Sequence, residues 1–216
     1  MASADKALEL FNGEANFHAL RGDIRLVQEN YGWAVTNYTR AIERRDQFFY
    51  YHLQRGLARK ELGQQATARV DLERSLELFP TAPAHAALGD LAKARGETQV
   101  AVAHYKVAAK SGGEFGKAAA AEAARLELPS NPGAYIPYAC SVDSRGMLVV
   151  SVRNDAPLVV SGVQVALAYT DSVGRRQERR FGVSGRLAPG DVASVNTGMT
   201  AGSSCPARVT AAQPEE

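Results

Sequence analysis

The spacing of apolar residues changes once along this chain, near residue 128. Before that point, apolar and small residues recur every three or four positions, which is the period of an amphipathic helix. Beyond residue 138, apolar and polar residues alternate, as they do in a β-strand with one buried face. The pattern therefore predicts a helical half followed by a β half.

The helical half contains an internal repeat. Gly22, Gly56 and Gly89 are separated by 34 and 33 residues. A small residue follows each glycine by 12 positions, a large residue by 16 and another small residue by 19: Ala34, Ala68 and Ala101, then Tyr38, Leu72 and Tyr105, then Ala41, Ser75 and Ala108. Gly63 and Gly96 stand where a turn must separate two helices.

This pattern resembles the tetratricopeptide repeat (TPR), a helix–turn–helix unit. Small residues let the two helices of a unit approach closely, and the large residue is expected to fill the gap toward the next unit. We predict three units, residues 15–48, 49–81 and 82–111, stacked as an α-solenoid.

Both ends of the predicted solenoid are informative. Residues 4–11 predict a short amphipathic helix, in a half-unit over 4–14 that lacks its partner helix. Because repeat arrays normally begin with a cap, we interpret the chain as an excised fragment of something longer. Residues 114–128 are rich in alanine and predict a closing helix, so that the helical domain covers residues 1–127.

The β half begins after residues 128–137, where three prolines and a glycine predict a linker. We predict a small antiparallel β-sandwich over residues 138–212, with candidate strands at 138–143, 147–154, 163–171, 176–183, 191–197 and 205–212. The predicted fold class is a two-domain α + β protein, a TPR α-solenoid followed by a small antiparallel β-sandwich.

Charge and hydropathy narrow the classes of partner. The formal net charge of +2, with mixed signs along the chain, argues against a nucleic-acid partner. No apolar run approaches the roughly 20 residues that span a bilayer. The first ten residues carry three charges and lack the apolar core of a signal peptide. The protein is therefore cytosolic, or the sequence begins downstream of its natural N-terminus.

The tripeptide Arg21-Gly22-Asp23 matches a cell-adhesion signal. It falls inside the first helix of the first unit, with Gly22 at the packing position, so the loop that an adhesion ligand requires is absent. We interpret the tripeptide as part of the repeat.

Three histidines, His18, His52 and His85, recur at one repeat position. Equivalent positions in adjacent helix pairs lie about 10 Å apart, whereas zinc holds its nitrogen ligands at about 2 Å. No cysteine or second histidine accompanies any of them at ligand spacing. We interpret them as packing residues and predict no metal site.

Both cysteines, Cys140 and Cys205, fall in the predicted β domain. The first and last strands of small sandwiches are often neighbours, so we expect a disulfide, which implies an oxidising compartment. The alternative is two unpaired thiols, one of them buried. The hairpin at 174–181 carries four arginines, which fit either an anionic lipid or partner, or an ordinary solvated strand face.

The chain contains no HExxH, CxxC, GxSxG, GxxxxGK[ST] or GxGxxG motif. Its carboxylates are scattered beside basic residues, as on solvated helix faces. We therefore expect this chain to have no catalytic activity and no cofactor of its own.

The run from Phe17 to Ala92 is similar to the C-terminal repeat region of bacterial HtpX/BepA-like zinc metallopeptidases, and in some members a small β domain follows. The family's HExxH domain is missing here, so no catalytic or zinc-binding residue is carried over. The resemblance implies a periplasmic or membrane-facing location in a Gram-negative bacterium. It also implies a signal peptide and a catalytic zinc in a part outside this chain, and a tail that presents substrates or partners to the protease.

Two functions follow from these observations. The chain is the non-catalytic interaction tail of an envelope metallopeptidase, or it is a stand-alone TPR scaffold or adaptor of the envelope that binds a peptide. A third and weaker alternative is a component of cell-wall or envelope assembly.

In resembling TPR arrays, ligands lie along the concave face built by the first helix of each unit. The matching positions here form the predicted peptide-binding groove: Asn16, Asp23, Leu26, Tyr50, Leu53, Leu57, Lys60, Asp90 and Lys93. Alternating charges around an aromatic side chain suit an extended peptide better than a small molecule.

Overall fold

The computed structural model describes residues 14–170, 173–200, 205 and 207–215. By its contacts the chain divides into two compact units, residues 1–116 and 117–216. The predicted half-unit helix over 4–11 lies outside the described residues. Among those residues, none of the helices combines the length and the apolar character that crossing a membrane requires.

The described helices form three antiparallel pairs and a seventh helix: α1 (Ala15–Val27), α2 (Tyr31–Arg44), α3 (Phe49–Glu61), α4 (Gln65–Leu78), α5 (Ala82–Ala94), α6 (Thr98–Ala109) and α7 (Gly113–Glu127). Helices α1 and α2, α3 and α4, and α5 and α6 each pack against one another. Each pair lies within one of the three predicted repeat units.

The turn inside each pair adopts the left-handed backbone conformation. Gly63 and Gly96 have φ values of 71° and 74°. The amide of Gln64 donates to the carbonyl of Arg59 at 2.9 Å, as in a Schellman motif. In the first pair Glu29 takes the equivalent position with a φ of 56°. The turn geometry is therefore kept in all three units, although only two of them use glycine.

The repeat glycines lie where the two helices of a pair touch. A Cβ atom on Gly22 would lie 2.7 Å from Cζ of Tyr38, and one on Gly89 would lie 2.9 Å from Cε1 of Tyr105. We expected the large residue to face the next unit, but its ring lies first of all over the glycine of its own unit. Tyr38 also belongs to a buried cluster that includes Tyr51 of the second unit.

The segment predicted as a linker, residues 128–137, is packed. Leu128 and Ile136 are fully buried in the core of the second unit, and a 3₁₀ turn occupies Pro132–Ala134. Ala124 of α7 belongs to the same core. The prolines do end the helix, but the apolar residues next to them pack into the core. The helix that was expected to close the solenoid also contributes Ala124 to this core.

The strands are β1 (Tyr138–Val142), β2 (Met147–Arg153), β3 (Val160–Thr170), β4 (Arg176–Gly182), β5 (Val192–Thr200) and β6 (Ala207–Pro214). They form two antiparallel three-stranded sheets, with the orders β1–β2–β5 and β4–β3–β6. Alternating residues of β2 and β3, including Val150, Val152, Val163 and Val165, join one buried core.

Two features tie the β unit together. Cys140 and Cys205 form the predicted disulfide, with their Cα atoms 6.3 Å apart, and so connect β1 with the segment that enters β6. Asn154 is fully buried, and its side-chain amide donates to the carbonyls of Leu158 and Leu187, both at 2.9 Å. A buried amide that is satisfied in this way fixes the loops that it bridges.

Candidate functional site

The aspartates that follow two of the repeat glycines accept hydrogen bonds from buried tyrosines. The Tyr38 hydroxyl donates to Oδ1 of Asp23 at 2.5 Å, and the Tyr105 hydroxyl donates to Oδ1 of Asp90 at 2.7 Å. These tyrosines are the large residues that cover Gly22 and Gly89. The first and third units therefore hold a carboxylate at the same place on the first helix of the unit.

The middle unit uses an apolar version of this arrangement. Leu57 follows Gly56, and Leu72 replaces the tyrosine. Leu57 packs against the buried cluster that contains Leu72. A Cβ atom on Gly56 would lie 2.8 Å from Cγ of Leu72, so the close contact between the helices is retained.

Side chains of α3 connect the two carboxylates to the middle unit. The Tyr50 hydroxyl donates to Oδ1 of Asp23 at 2.7 Å. Lys60, near the other end of the helix, forms a hydrogen-bonded ion pair with Asp90 of α5. Four of the predicted groove residues are thus brought together in two pairs, each joining neighbouring units.

The electrostatics of the first pair keep both phenols protonated. Burial, and then the bond to Asp23, raise the pKa of Tyr50 to about 12. The same causes raise the pKa of Tyr38 well above its ordinary value. Near neutral pH both phenols are therefore hydrogen-bond donors that orient the Asp23 carboxylate.

The other predicted groove residues differ in accessibility. Asn16 is exposed and accepts a hydrogen bond from the Tyr51 hydroxyl, Leu26 is partly buried, and Lys93 is exposed. Leu53 is only 5 % exposed and belongs to the core cluster of the second and third units. Leu53 therefore supports the groove from beneath and offers little surface to a ligand.

An ion-pair network that the sequence pattern does not predict joins α3 and α4. Asp71 of α4 has a side chain that is 3 % exposed, and it accepts bonds from Arg55 at 2.9 and 2.7 Å and from Arg59 at 2.7 Å. Arg55 also donates to Thr39 of the first unit at 3.1 Å. The only sign of this network in the sequence is an aspartate among the apolar positions of α4. The basic residues around it favoured a solvated helix face instead.

No second histidine stands at ligand spacing from the repeat histidines in the sequence, but the fold brings one distant histidine next to His85. His85 and His104 lie side by side, with their Nδ1 atoms 3.1 Å apart. Burial lowers the pKa of both imidazoles. The two residues are 19 positions apart and come together only because α5 and α6 pack in antiparallel fashion. Within the described part of the chain, no group of three or more histidine, cysteine, aspartate or glutamate side chains is placed to hold a metal ion.

Arg21-Gly22-Asp23 lies inside α1. Gly22 is buried, and the Asp23 carboxylate is held by two tyrosine hydroxyls. The tripeptide is therefore a structural element of the first unit.

No protein-family model matches this chain, and no curated protein sequence matches it. Solved structures do match its fold. The chain is similar to MamA, with a TM-score of 0.53 and 16% identity over 57% of this chain and 72% of MamA. It is also similar to the Sgt2 TPR domain from Aspergillus fumigatus, with a TM-score of 0.50 and 22% identity over 60% of this chain and 89% of that domain. The helical unit has the TPR fold.

The Arabidopsis OM64 TPR domain matches less closely, with a TM-score of 0.46 and 19% identity over 49% of this chain and 89% of that domain. At these identities the likeness concerns the fold alone. The TPR fold agrees with the repeat of glycine, small and large residues. The fold alone does not identify a ligand.

Proposed function

We propose that this chain is a non-catalytic protein-interaction module whose helical unit binds an extended peptide segment of a partner protein. The proposed surface, called here the A-face, is formed by Asn16, Asp23, Leu26, Tyr50, Leu57, Lys60, Asp90 and Lys93. The observation that carries the proposal is the pairing of Asp23 with Tyr50 and of Lys60 with Asp90 across successive first helices. These pairs arrange polar groups in a row along three units.

An extended peptide suits this row for two reasons. Its backbone offers one N–H donor and one carbonyl acceptor per residue, which the carboxylates, the hydroxyls and the lysine can meet. Its side chains can contact the partly buried Leu26 and Leu57 that lie among those polar groups. Because Asp23 and Tyr50, and likewise Lys60 and Asp90, already hold each other in place, little side-chain entropy of these residues is lost on binding.

The test is selection from a random peptide library displayed to the intact chain, followed by affinity measurements on the selected peptides. Replacing Tyr50 and Lys60 together by alanine is expected to weaken binding roughly tenfold or more, because a hydrogen-bonding ring and a charge are both lost. Arg74→Ala is the matched control, since Arg74 is a partly exposed cation of α4 that pairs with the exposed Glu77 of its own helix.

If the double variant binds the selected peptides as tightly as Arg74→Ala does, the assignment of the A-face fails. If the selection yields no peptide whose binding shifts the amide resonances of α1, α3 or α5, the proposal of a peptide-binding unit fails as well.

We further propose that the module belongs to the bacterial cell envelope and serves as the interaction tail of a zinc metallopeptidase, with zinc held only in a catalytic domain outside this chain. The disulfide is compatible with an oxidising compartment, and the two sheets with a shared core are compatible with a sandwich. The alternative is a stand-alone envelope scaffold. An upstream HExxH segment in the same reading frame supports the first, and a start codon near Met1 supports the second.

A further inference from the structure

The sheet β4–β3–β6 carries a row of arginines on the face turned away from the core. Arg180 of β4 lies directly opposite Ala166 of β3, and Ala166 lies directly opposite Arg208 of β6. Residues directly opposite one another in antiparallel strands point to the same face. Their neighbours Val165 and Leu167 are buried in the core, so the row of two arginines and an alanine points outward.

This row forms a shallow trough. Strands lie about 4.8 Å apart, so the backbones of Arg180 and Arg208 are separated by roughly 10 Å. The alanine between them is 1 % exposed, whereas the two arginine side chains are 64 % and 67 % exposed. The two guanidinium groups are therefore accessible, whereas the alanine at the base of the trough between them is covered.

A carboxylate already occupies this trough. Glu178 stands two residues before Arg180 on the same strand face. Arg208 donates to it at 2.7 Å, and Nε of Arg180 donates at 3.4 Å. The bond from Arg208 is the main cause that lowers the pKa of Glu178. The two guanidinium groups can thus reach a single carboxylate held between them.

Positive charge is concentrated around the trough. Residues 174–186 contain five arginines against one glutamate, whereas the whole stretch 117–216 contains ten basic against nine acidic residues. Arg176 lies on the same face as Arg180, four positions earlier on β4. Glu178 is the one acidic residue of this stretch, and the Arg180 and Arg208 side chains that it contacts remain 64 % and 67 % exposed.

We propose that this arginine face (Arg176, Arg180 and Arg208) binds an acidic segment of a partner protein, and that Glu178 competes with it as an intramolecular mimic. The face lies in the β unit and does not depend on the function proposed for the helical unit. A protein segment fits better than a membrane, because the trough holds one carboxylate and runs along a strand. The outward positions of β3 between the arginines, Gln164, Ala166, Ala168 and Thr170, also lack the large apolar side chains that enter a bilayer.

The experiment uses the intact chain and a fluorescent deca-glutamate peptide at low ionic strength. Replacing Arg180 and Arg208 together by glutamine is expected to weaken binding roughly tenfold or more, because charge-assisted hydrogen bonds to carboxylates are lost. Glu178→Gln is expected to tighten binding, since it frees the same donors. Added salt is expected to weaken every complex.

The matched controls come from an exposed ion pair on the other sheet, Arg153 with Asp155, at 2.5 and 2.9 Å. Arg153→Gln removes one positive charge, as each arginine test substitution does. Asp155→Asn removes one negative charge, as Glu178→Gln does. The proposal is overturned if Glu178→Gln strengthens binding no more than Asp155→Asn does. It is overturned too if the loss of affinity per arginine replaced is no larger at Arg180 and Arg208 than at Arg153. It is also overturned if phosphatidylserine vesicles bind through these arginines while the peptide does not. Circular dichroism of each variant confirms that the exposed substitutions leave the fold intact.

Discussion

At Gly22 the first pair of helices leaves no room for a side chain. The Tyr38 ring lies so near that a methyl group would contact three of its carbon atoms at 2.7–2.9 Å. That ring cannot move freely, because its hydroxyl is bonded to Asp23. The single missing methyl group therefore fixes the distance between α1 and α2 and the position of a groove carboxylate.

Gly22→Ala is expected to destabilise the helical unit by about 1–3 kcal/mol, the usual cost of overpacking, despite the higher helix propensity of alanine. The measurement is urea unfolding followed by circular dichroism. Gly32→Ala in α2 is the control, because a Cβ atom there meets nothing within 4 Å, and it is expected to leave stability unchanged or raise it slightly. If both variants lost the same free energy of unfolding, the loss would come from replacing a helical glycine and not from the contact with Tyr38.

The His85–His104 pair predicts a pH dependence. The folded protein holds the pKa of both imidazoles below the ordinary value of 6.5, chiefly through burial. His85 also lowers the pKa of His104, and Glu73 opposes this. The unfolded chain therefore binds protons first as the pH falls, so the stability that is present above pH 6.5 is lost as the pH falls through the lower folded pKa values.

His104→Asn tests this prediction, since the first unit carries Asn37 at the same repeat position. Unfolding free energies measured at several pH values between 7.5 and 5 should fall less steeply with acid in the variant than in the parent protein. Identical slopes would contradict the assignment to this pair.

At the scale of the helix pair, one repeat position takes a different role in each unit. It is Asn37 in α2, Asp71 in α4 and His104 in α6. The first bonds to its own helix, at the Trp33 carbonyl, the second binds two arginines, and the third meets a histidine. The glycine, small and large positions could be predicted from the sequence because backbone proximity dictates them. The partners at this position could not, because they depend on side chains from a facing helix.

Removing the carboxylate of Asp71 is expected to be costly. Asp71→Ala leaves two largely buried guanidinium groups without their anion, which typically costs about 3–5 kcal/mol. Glu77→Ala on the same helix is the control, because its pair with Arg74 is exposed and such pairs contribute at most about 1 kcal/mol. The measurement is chemical denaturation of both variants, and a loss in Asp71→Ala no larger than that in Glu77→Ala would refute the structural role of the network.

At the scale of the whole molecule, alternation and turn residues were enough to place the strands. Each observed strand overlaps a predicted one. Gly146 lies in the turn before β2, and Gly190 lies in the turn before β5. The linker prediction failed because proline and glycine report the absence of regular structure and not the absence of packing. Leu128 and Ile136 are buried within that irregular segment.

The disulfide is expected to stabilise the β unit selectively. It closes a loop of 65 residues, which corresponds to about 4 kcal/mol in the chain-entropy treatment. Dithiothreitol should therefore speed hydrogen exchange at the amides of β2 and β5 and leave those of α3 and α4 unchanged. The double variant Cys140→Ser and Cys205→Ser should no longer respond to reductant. Equal acceleration in both units would contradict a local effect.

The same covalent link has a mechanical consequence. A chain pulled from its two ends cannot release the 65-residue span between Cys140 and Cys205, because tension passes directly from one cysteine to the other. At about 3.4 Å per extended residue, the span hides a contour length of about 220 Å. In a single-molecule stretching experiment, unfolding of the β unit should lengthen the tether by this additional amount only after reduction. In the oxidised protein, tension therefore crosses the β unit through the disulfide and leaves the enclosed span slack.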